Sequence, residues 1–350
     1  MNELRRLLLD TANKIFGDFA TRDLLGKAEL GEFPAALWQA LREAGLTGAL
    51  LPEEWGGPGL ALPDALSLLR PAARYSAPVP LAETWLASWL LTGAGLAPPA
   101  DCLTVAPVRL GDVITGRREG TGWRLSGVAG RVPWARGAGA IIALIEGEGE
   151  PMVAILQPEE VRITGGKNLA GEPRDEVVFD TLLASDRVAP SRRGRMELHA
   201  LGAVLRAVAM AGALDHCLDL AVRYAQDRVQ FGRPIGKFQA VQQNLAVLAG
   251  QASAAQGAAD MAIESLEPMN LLAIAAAKAR CGEAAGAGAA IAHQVHGAIG
   301  FTHEHELHFS TRRLWSWREE FGNETEWSLW IGRQIAGVGA DGLWPLITSV

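Results

Sequence analysis

The residues best suited to chemistry in this 350-residue chain lie between Arg223 and Gln239. Arg223 and Tyr224 close an apolar-periodic run. Gly232, Pro234 and Gly236 punctuate the chain, and Phe238–Leu248 resumes a helical pattern. The spacing predicts a long helix, a turn and a second helix. The turn holds a guanidinium (Arg228), an amide (Gln230) and an aromatic ring (Phe231), with a second amide at Gln239. A fixed fork of N–H donors suits a diphosphate, an amide suits phosphate or ribose hydroxyls, and a ring can cover an adenine. An ordinary helix hairpin with polar surface residues would read the same way if this segment stood alone.

Other residues invite weaker readings. Five of the seven histidines fall between His293 and His308. His303-Glu-His-Glu-Leu-His308 lacks the third ligand spacing of a zinc protease, so a solvated or interfacial helix start is preferred to a metal site. Trp315, Trp317, Trp327, Trp330 and Trp344 sit at mixed helical spacings, which favours a core or a subunit seam over a ligand cage. The adjacent Glu319 and Glu320 read first as a solvated face. Cys102, Cys217 and Cys281 are scattered and show no disulfide or metal spacing, which fits a reducing, cytoplasmic compartment.

The elements that must position these groups follow from composition and pattern. The chain is 49% hydrophobic and 20% charged, enough for two or three packed units. Net charge is −7 without a basic cluster, which argues against nucleic acid. The amphipathic N-terminus lacks the apolar core of a signal peptide. Arg206 interrupts the most apolar run, Leu201–Leu214, so no membrane span is expected. Residues 1–98 read as helical: Phe33, Leu37 and Leu41 recur at helical spacing behind Pro34, and Pro63–Arg70 and Leu81–Leu91 read as further helices. Gly93–Ala100 reads as a linker. Residues 99–190 read as a β-domain, with strands at Cys102–Val108, Trp123–Ser126, Ala140–Ile145, Met152–Leu156, Val161–Thr164 and Glu176–Phe179. Gly120, Gly147 and Gly149 serve as turns of an antiparallel sheet or barrel. Residues 191–350 read as a helical bundle in which the small residues of Glu283–Ala292 permit close packing.

The pattern Tyr-Ala-x-x-Arg-x-Gln-Phe-Gly-x-Pro-Ile-x-x-Phe-Gln, from Tyr224 to Gln239, resembles the hallmark hairpin of acyl-CoA dehydrogenases. Gln294-Val-His-Gly-Ala-Ile-Gly-Phe301 resembles the family's Gln-x-x-Gly-Gly-x-Gly-Phe element, and Leu51-Pro-Glu-Glu-Trp-Gly-Gly57 its early Pro-Glu-x-x-Gly-Gly loop. The resemblance implies an N-terminal all-α domain, a middle antiparallel β-domain and a C-terminal α-helical bundle. It also implies FAD, an acyl-CoA substrate and an acceptor such as an electron-transfer flavoprotein. Family members share each FAD between two subunits. Carried over, Arg228 would bind the diphosphate with Gln230 assisting and Phe231 packing beside it. Gln239, Gln294 and the peptide groups of Gly297 and Ala298 would complete the adenosine-diphosphate site. Ala298 replaces a more usual Gly.

Two departures qualify that implication. The Thr-Glu-Pro-x-Ala-Gly-Ser-Asp segment that contacts the flavin ring is replaced by Ala106-Pro-Val-Arg-Leu-Gly-Asp112, and the Trp-x-Thr-Asn that follows by Trp134-Ala-Arg136. Alignment through Arg312 places Phe321 at the usual slot of the catalytic glutamate. Counting back from Tyr224 places Gly202 at the alternative slot. Neither residue accepts a proton. The chain therefore resembles the non-catalytic partner in heteromeric enzymes of the family, which occur in bacterial steroid side-chain catabolism. Such a chain would supply the adenosine-diphosphate half-site to a second acyl-CoA dehydrogenase chain. The alternatives are a self-sufficient homo-oligomer using Glu320 as a displaced base, and a flavin monooxygenase of the same architecture.

Overall fold

The computed structural model describes residues 3–146 and 149–348. Gly147, expected as a turn residue, lies outside them, as do Met1 and Asn2 of the expected N-terminal helix. The helices at the front of the chain are α1 (Glu3–Phe19), α2 (Arg22–Leu30), α3 (Ala35–Glu43), α4 (Leu62–Ser67), α5 (Leu69–Arg74) and α6 (Leu81–Gly93). Thr21 caps α2 by accepting from the Leu24 N–H, and Gly31 ends it at φ 107°. Leu37 and Leu41 are fully buried on one face of α3. The helix expected over 63–70 is two helices that break at Leu68 and run on to Arg74. Pro71 is the reason. It has no N–H to give to Ser67, and its ring would crowd that carbonyl in a continuous helix.

The strands are β1 (Leu103–Ala106), β2 (Ile114–Glu119), β3 (Gly122–Pro133), β4 (Ala140–Ile145), β5 (Met152–Leu156), β6 (Arg162–Thr164), β7 (Arg174–Ala184) and β8 (Val188–Pro190). They form two four-stranded sheets, ordered β1-β4-β5-β8 and β2-β3-β7-β6. The second is antiparallel throughout. The first contains one parallel pair, β1 with β4, because the chain visits the other sheet between them. Sequence reading missed β2 and β8 and shortened β3 and β7. Arg117, Arg118 and Glu119 mask the β2 pattern, since that strand turns mainly polar side chains to solvent. Ile141, Ala143, Ala154 and Leu156 from one sheet and Leu125, Val177, Phe179 and Leu183 from the other share one hydrophobic core. α6 ties to β1 through Thr84, whose hydroxyl accepts from the Leu103 N–H at 3.1 Å.

The remaining helices are α7 (Arg195–Asp227), α8 (Gln239–Glu264), α9 (Leu271–His296), α10 (Leu307–Trp317) and α11 (Glu324–Thr348). Between α7 and α8 lie two short paired strands, β9 (Val229–Gln230) and β10 (Arg233–Pro234). The chain separates into two compact units, 1–68 with 78–202, and 69–77 with 203–350. α5 therefore belongs with the later helices. Gly212 on α7 explains how: a side chain there would run into the backbone of Arg70. Gly288 on α9 likewise admits Leu214 of α7 and Leu248 of α8. By length and composition α7 could cross a membrane, but 83% of its most apolar window is buried inside the molecule.

Phe179 and Leu182 lie on the same strand with 1% and 49% exposure. Phe179→Ala should cost about 3–5 kcal/mol through lost burial and a cavity. Leu182→Ala should fall within about 0.5 kcal/mol of wild type in the same urea-denaturation series. Equal losses would mean that both faces of β7 are packed.

Candidate functional site

The Arg228–Gln239 segment has the predicted helix–turn–helix form with an unforeseen detail. Gln230 pairs with Arg233 across a two-residue loop, and both loop residues are left-handed: Phe231 at φ 51° and Gly232 at φ 77°. That is the torsion pattern of a tight hairpin, and a non-glycine residue at its tip is strained. The Phe231 ring is 93% exposed and meets the Phe238 ring edge-on at 6.1 Å. Strain spent to hold a large ring in water points to a surface that meets something else.

The polar groups around it are equally uncommitted. The side chains of Arg228, Gln230, Gln239 and Gln294 are exposed, and none forms a hydrogen bond or ion pair with another described residue. Gly297 and Ala298, just beyond α9, are exposed as well, with Gly297 at φ 63° and open space where a Cβ would stand. The two segments meet through rings. Tyr224, at the end of α7, stacks on His296, at the end of α9, with centroids 4.7 Å apart and planes 26° apart. A guanidinium, three amides, bare peptide groups and an exposed ring are the donor set that a dinucleotide's phosphates, ribose and adenine require, so these residues fit FAD.

The base-slot segment is built oppositely. α10 ends at Trp317, so Glu319 and Glu320 stand in the turn that follows it. Phe321 (φ 53°) and Gly322 (φ 84°) reverse the chain, and Phe321 is buried. Several polar groups of this turn are held by partners outside it. The Lys278 ammonium donates to the carbonyls of Arg318 at 2.8 Å and Gly322 at 2.6 Å. The Trp327 indole donates to the Phe321 carbonyl at 2.9 Å. Arg318 forks onto Glu324 at 3.0 and 2.9 Å. Glu320 accepts from Arg206 at 2.7 Å, in an ion pair whose side chains are 5% and 13% exposed. Arg206 lies one helical turn beyond Gly202 on α7, and its guanidinium sits 5.7 Å from the Phe321 ring. Sequence reading had Arg206 only as a break in an apolar run. Its role was visible in hindsight as a lone cation in a run too apolar to leave it unpaired.

In the first unit, Trp134 is left-handed and buried, and its ring meets Phe33 edge-on at 6.4 Å. The backbone N–H of Arg136 donates to the buried Asp175 at 3.0 Å, and the Arg136 side chain pairs with the same carboxylate at 2.9 Å. No group of three or more His, Cys, Asp or Glu side chains among the described residues is placed to hold a metal ion. His305 instead caps α10, accepting from the Leu307 N–H at 3.1 Å. Of the late tryptophans, Trp317 and Trp327 are buried, whereas Trp344 is 71% exposed. The three thiols are buried, and burial pushes each up to about 12.

Burial pushes the Lys278 ammonium down to about 8, opposed in part by Glu324. An unfolded lysine keeps its ordinary value of 10.5. Between these values the unfolded chain holds a proton that the folded chain has released, so this site's contribution to stability rises with pH across that window. Urea denaturation at pH 8 and pH 10 should show wild type gaining stability relative to Lys278→Met. A constant or shrinking gap would mean that the ammonium is not desolvated.

Comparison with known proteins places this geometry. Residues 3–96 match the acyl-CoA dehydrogenase N-terminal domain, and residues 196–323 match the acyl-CoA dehydrogenase C-terminal domain. The acyl-CoA dehydrogenase IpdE2 of Mycolicibacterium smegmatis is 29% identical over 321 residues, covering 89% of this chain and 93% of that one. Among solved structures, the Tcur3481-Tcur3483 steroid ACAD G363A variant superposes with a TM-score of 0.85 at 26% identity, covering 96% of this chain and 98% of that one. The ChsE4-ChsE5 complex of Mycobacterium tuberculosis superposes with a TM-score of 0.89 at 23% identity, covering 97% and 99%. With both family domains matched across more than half of its length, the chain belongs to the acyl-CoA dehydrogenase family.

Proposed function

We propose that this chain is the non-catalytic subunit of a heteromeric, FAD-dependent acyl-CoA dehydrogenase, and that it lends an adenosine-diphosphate half-site to a catalytically complete second chain. One contrast carries the reading. Both base slots hold residues that cannot take a proton, Phe321 and Gly202, while the adjacent carboxylates Glu320 and Glu324 are committed to Arg206 and Arg318. Meanwhile Arg228, Gln230, Gln239 and Gln294 stand exposed, with no side-chain hydrogen bond or ion pair to another described residue.

Distance supports the division of labour. Arg206 and Tyr224 are 18 residues apart on α7, about 27 Å at the helical rise. The base-slot end and the hairpin end of one chain therefore suit two different flavin sites. Bound FAD would supply the two-electron acceptor for removing hydride from Cβ of an acyl thioester. Arg228 would hold the diphosphate, with Gln230 and the peptide groups of Gly297 and Ala298 beside it. Phe231, Gln239 and Gln294 would fix the adenosine end. Leu329, Val338, Trp344 and Ile347 on α11 are also exposed, apolar surface that suits a neighbouring chain. The names of the two solved neighbours, each pairing two chains, and the word steroid in one of them support a heteromer acting on a bulky acyl-CoA.

Self-sufficient catalysis would require Glu320 to leave Arg206. Breaking a buried ion pair costs about 3–5 kcal/mol, so the displaced base is the second reading. The purified chain alone should show no turnover of short, long or steroid-type acyl-CoAs with an artificial electron acceptor, and no NADH-dependent oxygen consumption. Turnover that Glu320→Gln abolishes would install Glu320 as the base; oxygen consumption would favour a monooxygenase.

Co-purification with an acyl-CoA dehydrogenase chain that has an intact catalytic glutamate should restore activity and bound FAD. In that assembly Arg228→Ala should lower FAD affinity by roughly tenfold to a hundredfold or more, the loss of a charge-assisted hydrogen bond worth about 1.5–3 kcal/mol. Unchanged flavin content after dialysis would make the hairpin structural.

A further inference from the structure

We infer that Tyr224 and His296 are positioning residues: a ring-on-ring clasp that holds the Arg228 hairpin and the Gln294–Ala298 turn in one fixed relation. The inference rests on the half-site reading above and adds the device that keeps the half-site assembled. The two cofactor-facing segments are far apart in sequence and approach through these rings. Tyr224 and His296 stack at 4.7 Å, and each also meets the His305 ring edge-on, at 6.2 Å and 4.6 Å.

The clasp is rigid at both ends. Nδ1 of His296 lies 2.7 Å from the Ala292 carbonyl, so it must carry the proton and donate, which fixes the ring's plane. His296 is 3% exposed, and burial pulls its pKa below the ordinary 6.5, with the Ala292 contact acting in the opposite direction. A neutral ring can stack closely on a phenol without bringing an unpaired charge indoors. His305 is held from the other side, because its Nδ1 accepts from the Leu307 N–H. Tyr224 connects directly to the ligand end: its carbonyl accepts from the Arg228 N–H at 2.9 Å. His296 is followed at once by Gly297. A shift of either ring therefore moves Arg228 against the peptide groups that would share its diphosphate, and a misplacement of an ångström weakens a multipoint contact.

The test compares Tyr224→Ala, Tyr224→Phe and Arg228→Ala in the assembly co-purified with the catalytically complete chain, each checked for folding by circular dichroism. Two readouts are taken: amide hydrogen exchange over residues 294–301, and affinity for ADP and for FAD by calorimetry. Tyr224→Ala should speed exchange in that segment several-fold and weaken both ligands roughly two- to tenfold, the range of an aromatic pair. Tyr224→Phe keeps the stack and should stay within twofold of wild type on both readouts. Unchanged exchange in Tyr224→Ala overturns the clasp. So does faster exchange with wild-type ligand affinity, provided Arg228→Ala weakens binding. Faster exchange in Tyr224→Ala alongside no effect of Arg228→Ala upholds the clasp and sinks the half-site reading instead.

Discussion

Buried cations must be neutralised where they sit, and two of them, Arg206 and Lys278, organise the second unit. Each lies among apolar helices where an unpaired charge would be ruinous. Arg206 takes the Glu320 carboxylate, and Lys278 takes the carbonyls of Arg318, at the C-cap of α10, and of Gly322 in the turn beyond. The turn from Arg318 to Gly322 is then held at several polar groups, with Trp327 and Glu324 adding to them. A carboxylate locked this way is spoken for. The same interactions that stabilise the turn also occupy the Glu320 carboxylate, which pairs with Arg206.

The opposite end of α7 obeys the opposite rule. There the chain leaves its polar groups open and holds Phe231 in a left-handed conformation at full exposure. Folding alone would not select either feature, since a glycine or asparagine would sit at that tip with less strain. A surface preorganised for a ligand or a neighbour explains both. One helix thus joins a closed, internally satisfied end to an open, outward-facing one. That asymmetry is what a subunit of a shared flavin site would need.

The middle strands show how composition can hide a sheet. Ile114, Leu125 and Val132 point inward, but arginines and glycines interleave them, so only the more apolar runs announced themselves. The parallel pairing of β1 with β4 was also out of reach. It depends on which sheet the intervening strands join, a choice made by long-range packing.

Much was nonetheless fixed by local sequence. Gly232, Pro234 and Gly236 mark the hairpin, because glycine reaches left-handed torsions that other residues avoid and proline fixes φ, and helical periodicity outlines the helices on either side. The order of helices, strands and bundle followed from the change in apolar period along the chain. The residue types at Phe321 and Gly202 already excluded a proton acceptor at either slot. Tertiary structure decided everything that depends on a distant partner. The pairing of Arg206 with Glu320 spans 114 positions, and the stacking of Tyr224 on His296 joins two helix ends separated by all of α8. Neither contact leaves a periodic or local trace, because charge neutralisation and ring stacking depend on distance in space and not on separation along the chain.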